Sequence, residues 1–144
     1  MCDILYGGIY EHSYNEHFLK VSHKHGYAKM GKIKGREMYI NPGLKDVVYF
    51  RITSRACDCD TALGAGDESL GELQKLIHWL NDLNSYSKVD IRELYIIKLW
   101  VGDNKKRSLK PMEAVSLRDV DAAYLAGIEG DKVYRVDFPG GKTG

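Results

Sequence analysis

Ile91-Arg92-Glu93-Leu94-Tyr95-Ile96-Ile97-Lys98-Leu99-Trp100-Val101 is the run that decides the fold. An extended chain sends alternate side chains to opposite faces, which groups Tyr95, Ile97, Leu99 and Val101 on one side and Leu94, Ile96 and Trp100 on the other. Apolar residues on both sides mark a central strand, covered from two directions.

On the C-terminal side of this strand, Gly102 to Arg107 reads as a solvated turn, and Asp103-Asn104-Lys105 within it is only a loose likeness to the end of a metal-dependent nuclease motif. A short helix is expected from Ser116, with Asp119 at the reciprocal capping position. Its end is expected at Gly127, a residue suited to the left-handed conformation past a helix end. Lys132 to Phe138 supplies a last strand.

On the N-terminal side, Leu70, Leu73, Leu76, Ile77, Leu80 and Leu83 keep the three-and-four spacing of a helix, with Asp67 as its N-cap. Glu72, Lys75 and Asp82 fall on its solvated side, and His78 and Trp79 are expected to be partly buried.

The first half reads as strands at Ile4 to Tyr10, Phe18 to His25, Tyr27 to Ile33, Met38 to Ile40 and Val47 to Thr53, punctuated by Gly26, Gly35 and Asn41-Pro42-Gly43. In the clearest of them, from Asp46 to Arg55, Val48, Phe50 and Ile52 face one way, and Val47, Tyr49, Arg51, Thr53 and Arg55 the other. The short connections favour antiparallel pairing. An α+β domain is therefore expected, a mostly antiparallel sheet with two helices on one face. It spans residues 1–138 and is followed by a flexible tail at 139–144.

Composition agrees with a globular chain. Of 144 residues, 44% are hydrophobic and 28% charged, which excludes disordered and fibrous classes. No apolar run approaches the roughly 18 residues of a membrane span, and Met1 to Leu5 has no secretory character. Three cysteines, two of them the closely spaced Cys57 and Cys59, fit reduced thiols. A cytoplasmic location is the expectation.

The net charge of +1 conceals an asymmetry: Phe18 to Arg36 holds Lys20, Lys24, Lys29, Lys32, Lys34 and Arg36, with His23 and His25 and no carboxylate. From Phe18 to Tyr39, where the lysines are interleaved with Tyr27 and Tyr39, the chain reads as a basic β-ribbon able to neutralise phosphates and stack a base. Lysines on an edge strand also suppress edge-to-edge pairing, which explains them without a ligand.

Three other features are weaker. His12, His17, His23 and His25, with Cys57 and Cys59, are metal-binding residue types, and His23 and His25 would share a strand face, but no familiar ligand spacing is present. Asp58 and Asp60 alternate with the cysteines without defining a cation site. Leu63 to Ser69 precedes the long helix, yet Asp67 and Glu68 occupy the end where phosphate would bind. No hydrolase motif appears.

The expected function is that of a non-catalytic binding protein for an anionic ligand, either an anionic small molecule such as a nucleotide or a nucleic acid. Lys20, Lys24, Lys29, Lys32, Arg51 and Arg55 would supply charge, and Tyr27 and Tyr49 stacking surface, with no cofactor. Two alternatives are a protein-binding inhibitor or scaffold using a strand edge, with homo-oligomers included, and a small metal-dependent enzyme using the His and Cys groups.

Overall fold

The computed structural model describes residues 2–27, 31–33, 42–53, 71–101 and 108–139. Among the described residues, six strands form one sheet: β1 (Cys2–Tyr10), β2 (Lys32–Ile33), β3 (Val47–Arg51), β4 (Glu93–Val101), β5 (Lys110–Ser116) and β6 (Lys132–Asp137). Three helices accompany them, α1 (Glu16–Lys24), α2 (Gly71–Ser85) and α3 (Ala122–Ala126). The strand order is β2-β3-β1-β4-β6-β5, antiparallel throughout except for the parallel β5–β6 pair. Parallel neighbours need a crossover, and α3 lies within it. No helix among the described residues is long and apolar enough to cross a membrane.

The alternation read in the sequence places the core. Leu5 and Ile9 of β1, Phe50 of β3, Leu94 and Ile96 of β4, and Tyr134 and Val136 of β6 lie on one face of the sheet. They pack with Phe18 and Val21 of α1, Leu73, Leu76, Trp79, Leu80 and Leu83 of α2, and Leu125 and Ala126 of α3. The helices thus share one face, as expected for this α+β class. On the other face, Ile4, Tyr6, Tyr49, Tyr95, Ile97, Leu99 and Val133 form a second buried cluster, joined by Ile33, Leu44, Val47 and Leu109. The two-sided burial expected of the central strand is present at Leu94 through Ile97 and at Leu99.

The largest departure is at Phe18 to His25, read as a strand but helical as far as Lys24. Asn15 caps this helix, its side-chain oxygen accepting from the backbone N–H groups of His17 and Phe18 at 3.0 and 3.1 Å. Strand alternation would put Leu19, Val21 and His23 on one face, whereas burial selects Phe18, Val21 and Ser22, the helical three-and-four pattern. Leu19 and His23 are exposed. The basic β-ribbon is therefore replaced, over this half of its length, by a basic helix.

Other boundaries shift for local reasons. Tyr27 to Ile33 is extended at Lys32–Ile33, with residues 28–30 outside the described residues, as is the strand expected at Met38 to Ile40. The cap expected at Asp67 also falls outside them. The helix expected from Ser116 to Gly127 breaks in two, because Ser116 caps only a 3-10 turn (Leu117–Asp119). Asp121 then starts α3 by accepting from the Tyr124 N–H at 2.8 Å. α3 ends at Gly127 with φ −100°, outside the left-handed region expected there. β5 went unread because Lys110 and Pro111 weaken its pattern; both are suited to an edge strand, which β5 is. In α2, Trp79 is fully buried and His78 exposed, rather than both being partly buried.

Close approach across the sheet constrains Gly7 of β1. A Cβ added there would lie 2.4 Å from Cε2 and 2.6 Å from Cζ of Phe50, a fully buried ring. Gly7→Ala is expected to destabilise the protein by about 1–3 kcal/mol through overpacking. Urea unfolding measures this, and an unchanged midpoint would mean that the Phe50 ring moves aside freely.

Candidate functional site: a groove between two helices

A four-residue spacing stacks side chains on one face of a helix, and Lys20 and Lys24 stand in that relation on α1. The apolar side of α1 is fixed to α2 by Phe18 and Val21, with the Phe18 ring 6.3 Å from that of Trp79. Between the helices lies a groove of about 390 Å³, lined by Lys20, Val21, Lys24, Asp82 and Tyr86. Asp82 and Tyr86 repeat the four-residue spacing at the C-terminal end of α2, where the Tyr86 N–H donates to the Asp82 carbonyl at 3.0 Å.

The polar groups of this groove are unequally engaged. His25 Nε2 meets Asp82 Oδ2 at 2.8 Å, tying the end of α1 to α2, with the two side chains 20% and 34% exposed. Tyr86 presents an exposed ring, and the His17 ring lies 6.5 Å from it. Lys20 and Lys24 are exposed and make no hydrogen bond or ion pair with any described residue.

The remaining residues expected to bind a ligand are dispersed. Tyr27 is buried 5.0 Å from the Trp79 ring, with Lys75 Nζ 4.6 Å from its own ring centroid, so its faces are occupied. Burial, and then the charge of Glu72, push its phenol well above the ordinary value. Lys32 lies over the Tyr14 ring at 5.2 Å. Tyr49 is buried in the second cluster, its hydroxyl accepting from the Leu44 N–H at 3.2 Å. Arg51 is half-buried, with its guanidinium 5.9 Å from the Tyr6 ring centroid. Of the expected set, Lys20 and Lys24 share one groove; Lys29 and Arg55 lie outside the described residues.

The metal reading fares differently from its strand premise. On a helix, residues two apart point away from each other, so His23 and His25 lose the shared face: His23 is exposed, and His25 is engaged with Asp82. Cys57 and Cys59 lie outside the described residues. Among the described residues, no group of three or more His, Cys, Asp or Glu is placed to hold a metal ion.

Two further polar arrays are internally satisfied. On the face away from the helices, Tyr10 and Tyr95 both donate to Glu93 Oε2, at 2.8 and 3.1 Å, and Arg135 is paired with Asp137 at 2.8 Å. Beside α3, a cavity of about 300 Å³ is lined in part by Glu113, Tyr124, Glu129 and Lys132. There Tyr124 donates to Glu113, and Lys132 reaches Glu113 at 3.1 Å and Glu129 at 3.3 Å. The Tyr124 and Lys132 hydrogen bonds hold the Glu113 carboxyl below the ordinary value. Each cation in these arrays has its anion, whereas the α1–α2 groove has two lysines to spare.

Asp82 and Tyr86 were missed as site residues because their spacing fits any solvated helix face, and no local signal joins Asp82 to His25, 57 positions away. Compared with protein families, with curated proteins and with solved structures, the chain matches none.

Proposed function

We propose that the protein is a non-catalytic binding protein for a small anionic ligand of the nucleotide class, held in the groove between α1 and α2. The observation that carries this reading is the pair of uncommitted lysines, one helical turn apart, lining a groove that also presents the exposed Tyr86 ring. Two ammonium groups on one wall suit a phosphate, and an aromatic face suits a base. The groove volume of about 390 Å³ lies within the ordinary range for small-molecule sites. A net charge of +1 and the separation of Lys32 and Arg51 from this groove favour a compact ligand over a long nucleic-acid track.

Docking of another protein on a strand edge has less support, since of the two edge strands β2 is only two residues long and β5 carries Lys110 and Pro111, which discourage added strands. The test is calorimetric titration with nucleoside monophosphates at low salt. Reversing both charges, Lys20→Glu with Lys24→Glu, is expected to lower affinity by roughly 100-fold, the scale of two lost charge-assisted hydrogen bonds. Affinity of the unaltered protein should also fall as salt is added. Binding indifferent to both the reversals and the salt would overturn the assignment of this groove.

A further inference from the structure

A carboxylate is out of place in a groove that only attracts anions. Asp82 lines the same space as Lys20 and Lys24, yet neither lysine comes within ion-pair distance of it. Its one described side-chain partner is His25, which takes Oδ2 at 2.8 Å and fixes the carboxylate's orientation. Oδ1 has no hydrogen-bond partner among the described residues. The side chain is 34% exposed, so Oδ1 belongs to a partly desolvated acceptor, where a donor on a ligand gains more than it would in open water.

We infer that Asp82 is a specificity-determining residue that makes the groove selective for nucleotides that keep a sugar hydroxyl over those that lack one. This rests on the reading of the groove as an anion site and adds to it. A phosphate held by Lys20 and Lys24 brings with it a sugar whose vicinal hydroxyls are hydrogen-bond donors. One of these hydroxyls donates to Asp82 Oδ1, while the base lies along Tyr86 at the same end of α2. A ligand with phosphate and no hydroxyl donor leaves the carboxylate unsatisfied beside a second anion, and is disfavoured twice. His25 acts as a positioning residue, holding Asp82 from the end of α1.

The experiment titrates the protein with the four common ribonucleoside 5′-monophosphates, their 2′,3′-dideoxy counterparts and inorganic phosphate. At least one ribonucleotide is expected to bind about tenfold or more tightly than its dideoxy form, the scale of a hydrogen bond to a charged group. In Asp82→Ala the two forms should bind alike, with the dideoxy form bound no more weakly than before because a repelling charge has gone. If Asp82→Ala fails to fold, Asp82→Asn replaces it; the neutral amide oxygen keeps an acceptor, and the preference should shrink without vanishing. Equal binding of the two forms by the unaltered protein, still sensitive to Lys20→Glu with Lys24→Glu, would overturn this inference and leave the anion groove standing. A preference that survives Asp82→Ala would overturn it as well. Failure of every probe to bind would overturn both readings together.

Discussion

Alkaline titration is expected to unfold the protein cooperatively within about two pH units above 10, with phenolate absorbance and loss of circular dichroism rising in one transition. Tyr27, Tyr49, Tyr95 and Tyr134 are each less than a tenth exposed, and burial is the leading cause that raises each phenol above its ordinary value of 10.0. The native state therefore favours the protonated phenol, while the unfolded chain releases its proton near 10. Their contribution to stability is whole below pH 10 and is lost as the pH climbs toward the raised native values. Each phenol that must stay protonated costs up to about 1.4 kcal/mol per pH unit in that window. Tyr27 and Tyr95, the most strongly raised of the four, together approach about 3 kcal/mol per unit, with Tyr49 and Tyr134 acting in the same direction, against a total stability of about 5–15 kcal/mol for a domain. Independent, gradual ionisation of all the tyrosines near pH 10, with the dichroism unchanged, would refute this.

Trp79→Ala is expected to destabilise the protein by about 3–5 kcal/mol in urea unfolding, enough to leave much of it unfolded at moderate temperature. The indole is fully buried where α1 meets α2, within 6.3 Å of the Phe18 ring and 5.0 Å of the Tyr27 ring. Its N–H donates to Ser22 Oγ at 3.0 Å, and that hydroxyl donates onward to the Phe18 carbonyl at 2.8 Å. Removing the indole opens a cavity and frees α1 from its main anchor. Trp79→Phe should cost less, since Ser22 keeps its bond to Phe18 and part of the volume is refilled. Both variants should weaken ligand binding in proportion to the freedom they give α1, because Lys20 and Lys24 are positioned by that packing.

How much of this was legible depends on run length. β4 is a nine-residue run, apolar on both faces and rich in β-branched and aromatic residues, and Leu73, Leu76, Leu80 and Leu83 repeat the helical period over several turns of α2, so each reads only one way. At Phe18 to Lys24 the apolar residues are too few, and Val21 belongs to both patterns. The deciding signal was Asn15, whose capping oxygen precedes Glu16 and whose side chain favours a helix start over a strand. For the groove, the basic character of Lys20 and Lys24 was readable from composition. The partner wall was not: the His25–Asp82 contact arises only once α1 and α2 are packed on the sheet, and no periodicity within either segment encodes it.

The place of β1 bears on how the chain is made. It sits between β3 and β4, so β1, made before the other described strands, is an inner strand of the finished sheet. Ile9 pairs opposite Leu94, about 85 residues downstream. At roughly 5–20 residues per second, that partner is not synthesised for some 4–17 seconds. During that interval Leu5 and Ile9 of the nascent β1 segment have no β4 to pair with, so slowed translation between the two is expected to lower the yield of native protein.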